Sequence, residues 1–243
     1  MESPANKWKF VAIISVTVLL LIAFRERYPQ RIKDAIYHLP NKNAQDASFL
    51  SNVFYREQTD YQSLFKAQRN IVMLGNSLTF RMHWNELLDR PDVANRGIGS
   101  DVIKGFYHRL DKIIELEPKI CFIEGGANDI EFGVEIDTSL FYLNIIVDSL
   151  IHSGIIPVIS HVIYVTNEYP GAKRFNQMAQ VFNQKVDQLS NEKHLNVIDL
   201  NIDLAPHGFL EARFAQGDGI HLTSNAYAIW KQKVVDVLRK HHI

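Results

Sequence analysis

Ile71-Val72-Met73-Leu74-Gly75-Asn76-Ser77-Leu78 is the stretch on which the fold turns. Four apolar residues in succession, closed by a glycine, read as a strand buried on both faces. Such a strand has no polar side to give to water, so it needs a covering layer above and below. Residues 78–88 read as the helix that follows, stopped near Pro91. The same alternation continues outward. Residues 92–95 form a short second strand. Asp101 opens a helix with Val102, Ile103, Phe106, Leu110, Ile113 and Ile114 on one face, and Pro118 marks its end. Residues 120–123 are the third strand. Residues 139–151 are helical, with Gly154 suited to the C-terminal cap. Residues 155–159 are the fourth strand, 174–189 a helix, and 196–200 the fifth strand. Residues 223–238 close the chain as a helix, with Tyr227, Trp230, Val234 and Leu238 facing inward.

Five apolar strands separated by helices imply a parallel sheet covered on both faces. The expected fold class is therefore α/β, a three-layer α/β/α domain of flavodoxin-like type with a five-stranded parallel sheet. Ligands of such sheets bind outside the carboxyl ends of the strands. Asn76-Ser77 follows the first strand there, and Asn95 to Asp101 the second. Gly125-Gly126-Ala127-Asn128-Asp129 follows the third, and Asp218-Gly219-Ile220-His221 lies beyond the fifth. Ester hydrolysis needs a hydroxyl nucleophile, an oriented base and donors for a developing oxyanion. Ser77 is the candidate nucleophile and His221 the base. Asp218, three residues earlier, can orient the imidazole from the same loop. Asn128 offers a side-chain amide to the oxyanion, and the backbone near Gly99-Ser100 a further N–H. Without its companions Ser77 would read as a helix N-cap, and His221 as a structural histidine. Tyr164, Tyr169 and Phe175 follow the fourth strand and serve either as packing or as a pocket wall.

These four clusters resemble the blocks of the SGNH/GDSL hydrolase family, from residue 71 to residue 223. Gly75-Asn76-Ser77-Leu78 is similar to its Gly-Asp-Ser-Leu. Gly126-Ala127-Asn128-Asp129 is similar to its Gly-x-Asn-Asp, and Asp218 to His221 to its Asp-x-x-His. The resemblance implies an SGNH hydrolase fold and a serine hydrolase of carboxylic esters. Ser77, His221 and Asp218 would be its triad, with Asn128 and the Ser100 N–H as oxyanion donors and no metal or organic cofactor. The substrates it allows are short-acyl or O-acetyl esters, including carbohydrate esters, as well as thioesters and lysophospholipids. Two positions depart from the family pattern. Asn76 replaces an aspartate, keeping an acceptor but losing the charge, and Ser100 stands where a glycine is usual, with Gly99 as a second candidate for that donor. These departures leave a catalytically weak, membrane-tethered binding protein as an alternative.

Composition narrows the remaining possibilities. The chain has 243 residues, 47% of them apolar, and a formal net charge of −1, so no global charge draws it to nucleic acid. Its single cysteine, Cys121, sits in an apolar strand and can form no intramolecular disulfide. Gly97-x-Gly99 lacks the third glycine of a dinucleotide loop, no Gly-x-Ser-x-Gly elbow is present, and no histidine spacing suggests a metal site. The remaining histidines read as structural or surface groups. Residues 10–24 form an uncharged apolar run flanked by Lys7, Lys9, Arg25 and Arg27. As a helix it would span about 22 Å, short for a bilayer core but of a length that flanking Lys and Arg can extend. A cleaved signal peptide is the rival, although no small-x-small cleavage site follows. The expected organisation is an N-terminal anchor or signal segment over 1–27, a stalk over 28–45 and a hydrolase domain over 46–243. The domain would then be membrane-anchored and face the periplasm or the exterior. Within it, residues 46–68 have a helical look, with Phe49, Val53, Phe54, Tyr61, Leu64 and Phe65 at spacings near three and four.

Overall fold

β1 (Ile71–Gly75) is buried along its whole length, as a run without a polar face requires. It pairs in parallel with β2 (Val93–Gly97) on one side and β3 (Ile120–Glu124) on the other. β4 (Ile156–Ser160) extends the sheet from β3, and β5 (Asn196–Ile198) closes it. The order β2-β1-β3-β4-β5 is the flavodoxin-like order expected from the sequence. In this computed structural model the described residues are 49–243. The proposed anchor at 10–24 and the stalk lie outside them. Among the described residues no helix is long and apolar enough to cross a membrane.

The helices in chain order are α1 (Val53–Ser63), α2 (Ser77–Phe80), α3 (Trp84–Leu87), α4 (Ile103–His108), α5 (Leu110–Ile114), α6 (Ala127–Phe132), α7 (Ile136–His152), α8 (Ala172–Lys193), α9 (Asn201–Leu204) and α10 (Ser224–Lys240). Strand side chains alternate between two cores. Val72, Leu74, Cys121, Ile123 and Ile159 pack with α4, α5, α7 and α8. Ile71, Met73, Phe122, Val158 and Ile198 pack with α2, α3 and α10, where Trp84 meets Trp230 edge-on at 4.9 Å. Each fully buried aliphatic or aromatic side chain contributes about 1.5–3 kcal/mol, so both layers are needed to hold the sheet. The inward face of α10 is the expected one: Tyr227, Trp230, Val234 and Leu238 are all buried. Gly154 takes φ +74° just past α7, the left-handed turn for which glycine was expected. Cys121 is fully buried, and burial pushes its thiol up to about 12.

Three helices differ from the sequence reading, each because polar contacts override apolar spacing. The single helix expected over 78–88 is two short ones. Trp84 Nε1 donates to Thr79 O at 2.9 Å, and Asn95 Nδ2 reaches the carbonyls of Thr79, Phe80 and Met82, which therefore do not continue a helix. The helix expected from Asp101 begins at Ile103 and breaks at Arg109, whose backbone leaves helical geometry (φ −122°, ψ 16°). The Arg109 guanidinium is fully buried and donates to Gly75 O, Arg96 O and Asp101 Oδ2. Over 46–68, helix runs only through α1, after a 3-10 turn at Phe49–Ser51, and its inner face is not the apolar one. Tyr55 and Gln62 turn inward, with the Tyr55 hydroxyl donating to Gly105 O and Gln62 Oε1 accepting from Arg109. Val53, Leu64 and Phe65 are consequently exposed.

Candidate active site

The register levels the carboxyl ends of the strands. Gly75 pairs with Gly97 and with Glu124, and Glu124 with Ser160. The segments that follow β1, β2 and β3 therefore emerge along one edge. Asn76 alone separates β1 from α2, which makes Ser77 the first helical residue. The approach is close: a Cβ at Gly75 would lie 2.1 Å from Thr79 Oγ1 and 2.8 Å from Glu124 O, so only glycine fits there. Asn76 caps the helix, its Oδ1 accepting from Leu78 N–H at 2.8 Å. The Tyr227 hydroxyl on α10 donates to Leu78 O at 2.6 Å. The nucleophile candidate is thus fixed from the strand, from the cap and from the opposite helix.

His221 reaches Ser77 from a distant part of the chain. Its Nε2 lies 3.0 Å from Ser77 Oγ, and its Nδ1 lies 2.6 Å from Asp218 Oδ2. Donation from Nδ1 to the carboxylate leaves Nε2 as an acceptor for the serine hydroxyl. Asp218 Oδ1 accepts the backbone N–H groups of His221 and Ile220 at 2.9 and 3.2 Å. Partial burial raises the Asp218 carboxyl, but these donors and the imidazole outweigh it and hold it below the ordinary carboxylate value. The loop is closed by Gln216 N–H donating to His221 O and Thr166 N–H donating to Gly219 O. Gly219 has φ +78°, and a Cβ there would lie 2.6 Å from Thr166 Oγ1.

The other predicted residues form a second group on the same edge. Asn128, in the first turn of α6, donates from Nδ2 to Asp101 O at 2.8 Å. That contact joins it to the loop carrying Ser100, which is exposed and takes φ +59°. A left-handed backbone explains why glycine suits this position: any Cβ there costs about 1–2 kcal/mol. The Gly99 carbonyl accepts from Asn52 Nδ2 at 3.3 Å. Ser77, His221 and Asp218 are therefore joined in one hydrogen-bonded series, and Asn128 is joined to the Ser100 loop. Tyr169 and Phe175 are buried against each other, rings 5.9 Å apart, which is packing rather than an open wall. His161 bridges Asp187 and Asp199 at 2.9 and 3.4 Å, as a structural histidine would.

Three acids under this edge are buried; Asp101 and Asp129 lie in the clusters read from the sequence but without a role there, and Glu124 is not named among them. Asp101 pairs with Arg109 at 2.9 Å, both side chains fully buried. Burial raises the Asp101 carboxyl against the pull of that guanidinium. Asp129 accepts from the Ser139 hydroxyl and from Ile103 N–H, and burial lifts it to about 6. Glu124 accepts from Asn76 Nδ2 at 3.1 Å and from the Thr79 hydroxyl at 3.4 Å, and burial lifts it to about 7. For Glu124 the available signal was a charged residue closing an otherwise apolar strand. Among the described residues no group of three His, Cys, Asp or Glu is placed to hold a metal ion.

The family model for GDSL-like lipases and acylhydrolases matches residues 73–229. No curated protein sequence matches the chain significantly. Among solved structures, a GDSL-like lipase from Bacteroides thetaiotaomicron superposes with a TM-score of 0.68 at 19% identity, covering 77% of this chain and 98% of its own. A psychrotrophic esterase from a Pseudoalteromonas species, inhibited by monoethylphosphonate in its crystal structure, gives a TM-score of 0.54 at 21% identity, covering 70% and 96%. An acetyl xylan esterase gives 0.56 at 14%, covering 70% and 98%.

Proposed function

This chain belongs to the GDSL-like lipase/acylhydrolase family, and we propose that within it the protein is a serine esterase working through an acyl-Ser77 intermediate. The observation that carries this reading is the series Ser77 Oγ–His221–Asp218, with contacts of 3.0 and 2.6 Å. As Ser77 Oγ attacks the ester carbonyl carbon, His221 Nε2 takes the hydroxyl proton. The Asp218 carboxylate orients the imidazole and stabilises its charged form. The tetrahedral oxyanion is met by the N–H groups of Ser77 and Ser100 and by Asn128. An Asn amide has two N–H donors. One holds Asp101 O, which leaves the other for the oxyanion. His221 then gives its proton to the leaving alcohol, and a water deprotonated by His221 releases the acid.

Small acyl groups are the favoured substrates, short-chain or O-acetyl esters, including those on carbohydrate. Asn76 alone joins β1 to α2, and only Gly125-Gly126 joins β3 to α6, so the walls nearest Ser77 are low. The acetyl xylan esterase of the same fold is compatible with that choice. The apolar run 10–24, flanked by Lys7, Lys9, Arg25 and Arg27, supports a membrane anchor; as an uncleaved signal anchor it would place the domain on the periplasmic or outer side. The test is hydrolysis of p-nitrophenyl acetate, butyrate and octanoate by the full chain, with Ser77→Ala alongside. Turnover that falls with chain length, and by at least ~10⁴-fold in the variant, is expected. Retained turnover in Ser77→Ala would remove the assignment.

A further inference from the structure

The first motif departs from its family at Asn76, and the residue that answers this departure is Glu124. Asn76 uses both ends of its amide. Oδ1 accepts from Leu78 N–H, while Nδ2 donates to Glu124 Oε1 at 3.1 Å. An amide can do both at once without a shared proton. A carboxylate cannot, because both of its oxygens only accept. Glu124 ends β3, is 2% exposed, and has no cation paired with it among the described residues. It accepts from the Asn76 side chain and backbone N–H and from the Thr79 hydroxyl of α2. The titratable group that faces it from α10 is Tyr227, whose hydroxyl holds Leu78 O. Glu124 thus touches Asn76, just before Ser77, and Thr79, two residues after it, and neither the motif nor the triad assigns it a part.

We propose that Glu124 is a positioning residue for the nucleophile: through the Asn76 amide it sets the turn that aims Ser77 Oγ at His221, and the pair requires an amide donor at one member facing an acceptor oxygen at the other. The proposal rests on the esterase reading of Ser77. It gives Asn76 a physical reason. An aspartate there would place a second carboxylate oxygen about 3 Å from Glu124 Oε1, where two buried like charges cannot both ionise. The motif would then keep its geometry only while one proton is shared between the two acids, so its integrity would depend on pH. With asparagine the donor to Glu124 is present at every pH.

The experiment is a double-mutant cycle of Asn76→Asp, Glu124→Gln and both together in the full chain. It reads kcat for p-nitrophenyl acetate and the rate of Ser77 labelling by a fluorophosphonate from pH 5 to 9, with melting temperature alongside. Asn76→Asp is expected to lose at least 10-fold in kcat and labelling at pH 8, with the ratio to wild type recovering as pH falls and the shared proton returns. Glu124→Gln keeps an acceptor for Asn76 and should remain within about 3-fold. The double variant restores a donor–acceptor pair of reversed polarity, Gln donating to Asp, and should return to within about 3-fold of wild type with a flat ratio across pH. A wholly structural role would lower melting temperatures but leave these pH ratios parallel. Parallel profiles, or a double variant no better than Asn76→Asp, overturn the proposal. Wild-type protein that neither turns over nor takes the label contradicts the esterase reading instead. In that case a melting deficit of Asn76→Asp that fails to grow with pH, and is not removed in the double variant, overturns the pair as well.

Discussion

The proposed nucleophile and its proposed base are held by two unlike pieces of structure. Ser77 stands on a turn of one residue between a fully buried strand and a short helix, flanked by Asn76, Leu78 and Thr79, all nearly inaccessible. His221 sits in a long connection between β5 and α10, with Asp218 exposed beside it. The first region is fixed by packing and buried polar bonds, which fail only when the core fails. The second is fixed by backbone hydrogen bonds of a surface loop, of the kind that open locally at lower cost. Under the proposed roles, such a site keeps Ser77 rigid and leaves His221 to a loop whose order can be lost while the sheet stays folded.

Substitutions can break this contrast, and the largest effects belong to the chemistry. His221→Ala should reduce kcat on the order of 10⁴-fold or more, and Asp218→Ala by ~10²–10⁴-fold, with melting temperatures near wild type. A melting temperature that collapsed with either change would show the loop to be part of the core. Arg109→Met is the opposite case. It removes the cation from a fully buried pair that also ties Gly75 O and Arg96 O, and should cost about 3–5 kcal/mol in chemical denaturation. Cofactor-free refolding should report that loss whether or not an ester is present.

Two glycines compare the regions directly. Gly75→Ala drives a methyl into Thr79 and the β3 backbone and should lower global stability by about 1–3 kcal/mol. Gly219→Ala strains a left-handed turn by about 1–2 kcal/mol, and its effect should appear in kcat and in hydrogen exchange of residues 216–222 before it appears in the global melt. Equal global destabilisation by both would erase the distinction. The smallest effect is electrostatic. Glu124 and Asp129 have folded-state values raised by burial to about 7 and about 6. A raised acid favours the folded state in its protonated form, so that contribution is present below the unfolded carboxyl value and is lost as pH rises through the folded one. Stability should therefore decline between about pH 4 and pH 7, and Glu124→Gln should remove part of the slope. A slope unchanged in that variant would place the titrating group elsewhere.

The same contrast explains what was legible beforehand. Apolar runs such as Ile71 to Leu74 state their own burial, so strand number, order of elements and the inner face of α10 could all be read. The residues that meet at Ser77 were readable because each sits just past a strand or in a compact motif. Contacts made at a distance by single polar groups were not. Nothing in the local pattern announces that Arg109 is buried and splits its helix, or that Tyr55 and Gln62 displace Val53 and Leu64 from the inner face of α1. Ser100 was recognised as a departure from glycine, but the reason, a φ of +59°, belongs to the backbone and has no sequence signature.

The central claim is that Ser77, activated by His221, forms the covalent intermediate. Its most direct measurement is intact-mass and peptide mapping after treatment with a p-nitrophenyl phosphonate ester, which phosphonylates an activated serine. One adduct on Ser77 in wild type, none in Ser77→Ala and strongly slowed labelling in His221→Ala is the predicted result. An adduct on another residue, or labelling of Ser77 at the same rate without His221, would contradict it.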